Sequence, residues 1–310
     1  MTSLLRLDRE RTWPLLSLVM VPACFFGLSR VVPLRGEHFL VAALLMICAW
    51  SSKGRKFSLI LAPLTATGFG YELFPLFAGL RGKVLVEQLW DLEHLLFPIP
   101  GSSTVSLSDL LSSFSWAPLD LLAGATYLTH LPEAMGLAAL LFLRGDVPRA
   151  QRLAVGFLLL NVVGWCIWLI LPAAPPWYVD LYGLGPIDLS AAPSCAGGAR
   201  FDAFVGHPIF ASFFERSTNV FGAFPSLHAG SASIAAIAGY RSTRGTRIFT
   251  LSYAVAMCFS AVYLRHHYIV DVVAGIACAF AAYAIAGQLL SLKDKGQRAL
   301  VPHARVGEAI

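Results

Sequence analysis

Charge is scarce in this chain. Only 13% of its 310 residues are Asp, Glu, Lys or Arg, and 57% are hydrophobic. A water-soluble domain carries about 25% charged residues, so this composition excludes that class. Paired cysteines are missing too. Cys24, Cys48, Cys166, Cys195, Cys258 and Cys278 stand singly with no C-x-x-C, which argues against a zinc ribbon or a dithiol redox motif. Short segments of alternating polarity are absent, which excludes a transmembrane β-barrel. No internal repeat is visible, which excludes a solenoid.

What the chain does have is long apolar runs, several near the ~18–20 residues that span a bilayer. They predict an all-α, polytopic transmembrane helix bundle of about eight spans, at 14–33, 38–51, 57–79, 119–143, 152–173, 221–240, 247–264 and 268–290. Residues 1–292 form one integral membrane domain, followed by a polar, disordered tail over 293–310. The first run follows Arg6, Arg9 and Arg11, as a signal peptide would, but its length and the spans after it predict an uncleaved helix. Residues 80–118 hold an amphipathic piece, VEQLWDLEHLLFPIPG, with Trp90 and Trp116 suited to the membrane boundary. Residues 174–219 are too long for a structureless connection and predict a lid or binding loop.

The basic residues are unevenly divided. Sixteen of 23 fall on one set of turns: Arg6, Arg9, Arg11; Lys53, Arg55, Lys56; Arg144, Arg149, Arg152; Arg241, Arg244, Arg247; and Lys293, Lys295, Arg298, Arg305. The other set holds Arg30, Arg35, Arg81, Lys83, Arg200, Arg216 and Arg265. The basic-rich side is expected to be cytoplasmic, with both termini inside. The net charge of +5 is thereby accounted for by topology anchors, without a nucleic-acid partner.

Two polar clusters interrupt the apolar C-terminal half, Pro225-Ser226-Leu227-His228 and Arg265-His266-His267 with Asp271 beyond. The predicted topology puts both at the non-cytoplasmic face. Ionisable groups beside apolar spans are costly and point to function. On a helix, His267 and Asp271 at i, i+4 share a face. A carboxylate there fixes one imidazole nitrogen and leaves the other as nucleophile or base. His228 follows Pro-Ser at a helix start, where free N–H groups and the dipole suit a phosphate. Ser226 adds a hydroxyl and Arg265 a forked cation.

P-S-x-H followed by H-x3-D resembles the type-2 phosphatidic acid phosphatase superfamily. The wording FGAFPSLHAG with HHYIVD, together with PAAPPWY at 172–178 and DLLAGATYLTH from Asp120 through Tyr127 to His130, looks like its inositol phosphorylceramide synthase branch, the aureobasidin-sensitive fungal enzyme and its bacterial relatives. The resemblance covers about 118–290 and implies a six-helix core there. It implies that His267 attacks phosphorus, that Asp271 orients it and stabilises its charge, and that His228 protonates the leaving oxygen. Two departures stand out: the superfamily's K-x6-R-P is absent, and Ser260 is followed by Ala261 where S-R is usual. Arg265 is the nearest substitute cation, with Arg216, Arg81 or Lys83 as further candidates.

The expected reaction moves a phosphoinositol-like head group from a phospholipid donor to a ceramide-like acceptor through a phosphohistidine. No cofactor or metal is needed. Water as acceptor would make the protein a lipid phosphate phosphatase, and a scramblase or scaffold would leave the histidines without a catalytic role. Trp177 and Tyr178 are expected to cover the site. Asp120 either binds a polyol or caps its helix, and Tyr127 and His130 either line the site or are structural. His130 and Glu133 are spaced to pair at i, i+3, Glu72 is expected to be structural, and Asn161 to join helices. A metal held by His228, His266 and His267 is the competing use of the imidazoles.

Overall fold

A computed structural model describes residues 2–31, 33–102, 104–215 and 219–299. It is all-helical, with no regular strand among the described residues. Helices α1 (Thr2–Ser29), α2 (Gly36–Ala49) and α3 (Ser52–Leu73, extended by a 3-10 turn to Leu80) come first. α4 (Glu87–Leu96) and α5 (Leu107–Ser113) follow, then α6 (Ala117–Leu128), α7 (His130–Leu143) and α8 (Val147–Ile170). Three short helices, α9 (Pro176–Tyr182), α10 (Gly198–Val205) and α11 (Ile209–Phe214), precede α12 (Leu227–Tyr240), α13 (Arg244–Tyr263) and α14 (Ile269–Ala299).

Among the described residues four segments, Ser52–Leu80, Val147–Ile170, Arg244–Tyr263 and Ile269–Lys293, are long and apolar enough to cross a membrane. Pro14–Ser29, His38–Ala49 and His130–Leu143 are shorter apolar helices. The protein is an integral membrane helix bundle. Two expectations need correction. The span at 119–143 is broken at Thr129, because Pro132 in the next turn has no N–H to continue the ladder and the Thr129 hydroxyl back-bonds to the Ala125 and Thr126 carbonyls at 2.8 and 3.1 Å. The tail expected to be disordered from 293 continues α14 as helix to Ala299, and 300–310 lie outside the described residues. The stretch expected to be a lid or binding loop, 174–219, carries α9, α10 and α11 among its described residues. There Asp202 caps α11 by accepting from the Phe210 and Ala211 amides at 2.8 and 2.9 Å.

The centre of the bundle is α12. At 14 residues, about 21 Å of rise, it is short for a span, and it is buried on nearly every side. A helix apolar all round belongs inside a bundle. Its small residues let neighbours close in: a Cβ on Gly275 of α14 would strike the Ser226 carbonyl oxygen, and one on Gly230 would lie 3.0 Å from the Gly275 carbonyl oxygen. Nearby the Ser226 amide donates to the Asp271 carbonyl at 2.9 Å. Gly275→Val is therefore expected to wedge α12 from α14, at a cost of about 1–3 kcal/mol from overpacking. Thermal unfolding of the purified variant checks this; an unchanged melting temperature would show that the two backbones can separate freely. As expected, Asn161 joins helices, accepting from the Tyr71 hydroxyl at 2.9 Å, and Glu72 is ion-paired with Arg35 at 2.9 Å.

Candidate active site

Three extended segments lie side by side beneath the cap formed by α4, α5 and α9–α11. Leu85 donates to Pro172 O and Ala174 to Leu85 O at 2.7 and 2.9 Å; Ala173 donates to Phe221 O and Ala223 to Ala173 O at 2.9 and 3.2 Å. The PAAPPWY stretch is thus the middle rung of a small ladder, and the ladder fixes Ala223. The Ala223 carbonyl in turn receives His267 Nδ1 at 2.9 Å. A carbonyl only accepts, so Nδ1 carries the proton and Nε2 keeps its lone pair.

Asp271 was expected to hold that imidazole directly. Its Oδ2 lies 3.5 Å from His267 Nδ1 and accepts the Tyr268 amide at 2.8 Å, reaching back as an N3 residue does at a helix start. Asp271 is fully buried, and its Oδ1 has no partner among the described residues. The tautomer is therefore fixed by a backbone carbonyl, while Asp271 places a carboxylate behind the ring.

His228 comes from the first turn of α12, which Ser226 caps by accepting the Ala229 amide at 3.3 Å. Ser226 is fully buried, so it tethers the helix start where a phosphate donor was expected. The ring centroids of His228 and His267 are 5.9 Å apart. Neither nitrogen of the half-buried His228 has a hydrogen-bond partner among the described residues. The break between α6 and α7 sets two more rings against it. Tyr127 stacks on His228 with centroids at 3.9 Å, and His130 meets it edge-on at 4.4 Å. Both therefore adjoin His228. His130 does not pair with Glu133: its Nδ1 is 3.3 Å from the Tyr127 carbonyl, and both Glu133 oxygens are without a partner among the described residues. His266 turns aside, stacked on Tyr127 and Phe214 at 4.9 and 4.5 Å. Among the described residues no group of three His, Cys, Asp or Glu side chains is placed to hold a metal ion.

Four expected contacts take other positions. Arg265 is gripped by two carboxylates: Nη1 donates to Asp109 at 2.6 Å, Nε to Asp180 at 2.8 Å, and Nη2 to Asp180 as well. Its charge is already matched, so its geometry is that of a latch instead of a free phosphate clamp. Asp120 is buried, its Oδ1 is taken by Arg200 at 2.6 Å and the Tyr263 hydroxyl at 2.7 Å, and its Oδ2 is met by the Ser115 hydroxyl at 3.5 Å, so it braces α6 against α10 and α13. Trp177 and Tyr178 are buried in the cap: the Trp177 amide donates to the Arg265 carbonyl at 3.1 Å, and the Tyr178 hydroxyl accepts from the Asp188 amide at 2.8 Å. They support the cap from within. Arg216 lies outside the described residues.

One neighbour escaped the sequence reading. Glu93 of α4 is fully buried, and its Oε2 accepts the Val270 amide at 3.1 Å, tying down the start of α14. Its only signal is position, one turn after buried Leu89 on an amphipathic helix. Burial pushes its carboxyl above the ordinary 4.5, against the Val270 and Ile269 amides and the Ser108 hydroxyl, which pull it down. A raised folded value gives stability that is complete below 4.5 and is lost as pH rises through the folded value. Glu93→Gln should abolish that decline in melting temperature with pH, whereas Glu93→Ala should cost about 1–3 kcal/mol by stranding the Val270 amide. Equal damage from both variants would refute a neutral-tolerant Glu93.

Comparison with known proteins follows the same residues. The PAP2 superfamily model matches 101–285. A phosphoinositol dihydroceramide synthase of Bacteroides thetaiotaomicron is 33% identical over 272 residues, covering 85% of this chain and 88% of that protein. Inositol phosphorylceramide synthase catalytic subunits of Schizosaccharomyces pombe and Saccharomyces cerevisiae are 35% and 31% identical over 210 and 261 residues, or 67% and 84% of this chain. The chain spans 48% and 59% of the length of those two fungal proteins. No solved structure gives a significant match. With its family model spanning both histidine segments, the chain belongs to the PAP2 superfamily.

Proposed function

We propose that this protein is a membrane phosphotransferase that moves a phosphoinositol-like head group from a glycerophospholipid to ceramide or a similar lipid alcohol. The observation that carries the reading is the pairing of His228 with His267, 5.9 Å apart, with His267 Nε2 left free by the Ala223 carbonyl. An attacking or proton-transferring nitrogen works within about 3–3.5 Å of its target, so two rings at this spacing suit one phosphorus between them. The relatives' names supply the substrate class: inositol phosphorylceramide for the fungal proteins, phosphoinositol dihydroceramide for the bacterial one.

In the first half-reaction His267 Nε2 forms a bond to phosphorus, the bond to the glycerolipid oxygen breaks, and His228 gives that oxygen its proton. Diacylglycerol leaves. In the second, His228 takes the proton of the acceptor hydroxyl, whose oxygen bonds to phosphorus as the N–P bond breaks. Phosphoryl transfer asks mainly for positioning and charge stabilisation. At the start of α12, Ser226 takes the Ala229 amide, and the Leu227 and His228 amides have no acceptor within that helix, which suits them to a phosphate beside His228. Both histidines lie at the end of α12–α14 opposite Arg241 and Arg244, which supports a site on the non-cytoplasmic face.

The test is purified protein given phosphatidylinositol and ceramide in detergent. The expected product is a phosphoinositol-bearing ceramide together with diacylglycerol. Release of the head-group phosphate into water without any ceramide product would mean that water is the acceptor. Failure to form a ceramide product with any of several head-group donors would remove the transferase reading.

A further inference from the structure

At the end of the bundle away from the histidines, α8, α12, α13 and α14 enclose an apolar groove of about 1070 Å³. Ala236, Leu251, Ala254, Val255, Ile276 and Phe280 wall it. Val255 and Phe280 are 72% and 61% exposed, so the groove opens sideways, toward lipid. Its mouth carries Arg149, Arg152 and Arg241 with one carboxylate, Asp146. Arg149 pairs with Asp146 at 3.0 Å, which leaves two positive charges in excess.

Arg152 is built into the wall. Its Nε donates to the Tyr283 carbonyl at 2.9 Å, and its guanidinium lies over the Tyr283 ring at 4.1 Å. Gly287 leaves the space for it, because a Cβ there would sit 2.6 Å from Cζ. No carboxylate pairs with Arg152 or Arg241 among the described residues.

We propose that this groove binds an anionic glycerophospholipid from the leaflet on the basic side, with its phosphate between Arg152 and Arg241 and an acyl chain along α12, α13 and α14. Charge complementarity chooses the occupant. A groove open to hydrocarbon fills with acyl chain, and basic pockets at the cytoplasmic ends of helices hold anionic head groups. The bound phosphate is not the reacting one. His228 and Arg241 are thirteen positions apart along α12, about 20 Å along the axis, far beyond the reach of His267.

The readout is lipid retention, independent of catalysis. Full-length protein is exchanged into detergent with phosphatidylglycerol or phosphatidylcholine, and bound lipid is counted by native mass spectrometry. Wild type should retain phosphatidylglycerol over phosphatidylcholine. Arg241→Gln, an exposed change, should weaken that retention roughly fivefold, and the double variant with Arg152→Gln roughly 25-fold. Val255→Trp, a lipid-exposed change, should displace the acyl chain with all three arginines intact. Equal retention of both lipids by wild type would overturn the proposal, as would undiminished phosphatidylglycerol on Arg241→Gln or on Val255→Trp. Because transfer from phosphatidylinositol to ceramide is assayed separately, a silent active site leaves this result readable.

Discussion

His267→Ala is expected to lower head-group transfer by roughly 10⁴-fold or more, with the melting temperature little changed. The ring supplies a fixed lone pair beside His228, because Ala223 holds Nδ1 as a donor and leaves Nε2 bare. Its removal deletes the bond to phosphorus, and water has no equivalent position. His228→Ala should cost about 10²–10⁴-fold, the usual worth of a positioned proton donor. The double variant should be hardly worse than His267→Ala alone, because groups serving one transfer are not additive. A donor labelled in its head group discriminates further. His228→Ala, still holding its nucleophile, should accumulate labelled protein that is labile to acid, and His267→Ala should not. Full transfer by His267→Ala would end the enzymatic reading and leave the scramblase or scaffold alternative.

Arg265→Ala is expected to lower stability by about 2–3 kcal/mol, toward the lower end for breaking a buried ion pair because Asp180 is partly exposed. That is roughly 5 °C in melting temperature. Arg265 sits in the left-handed region at φ 65, between α13 and the histidine turn, where a non-glycine residue needs support. Asp109, Asp180 and the Trp177 amide provide it. Without the guanidinium the turn loosens, and kcat should fall with stability while KM for the donor moves little. A free phosphate clamp would give the reverse, a higher KM at unchanged melting temperature. The latch should also tolerate mild acid. Burial pushes the Asp109 carboxyl up, but the Ser106 amide and hydroxyl and the Arg265 guanidinium together hold it below the ordinary 3.8. Its contribution is therefore present above 3.8 and is lost only as pH falls through the lowered folded value.

The helical class, the membrane setting and the histidine pair were legible because each is written in local pattern: apolar runs of spanning length, and P-S-x-H with H-x3-D. By residue type Arg265 suits a phosphate, Asp120 a polyol or a helix cap, and Trp177 and Tyr178 a cover over the site. The fold gives each of them a protein partner instead. A sequence shows what a side chain is able to bind but not which neighbour reaches it first. Glu93 was missed for the same reason, since its partner amide lies 177 positions away.

The sequence by itself determined that this chain crosses a membrane many times and carries two imidazoles suited to phosphorus chemistry, because hydropathy and residue identity need no folding to be read. Only the tertiary structure decided that a backbone carbonyl at Ala223 selects the His267 tautomer, that Asp271 stands behind the ring at 3.5 Å, and that Arg265 is occupied by Asp109 and Asp180. Those are matters of ångström-scale distance between groups far apart in the chain, and packing alone sets them.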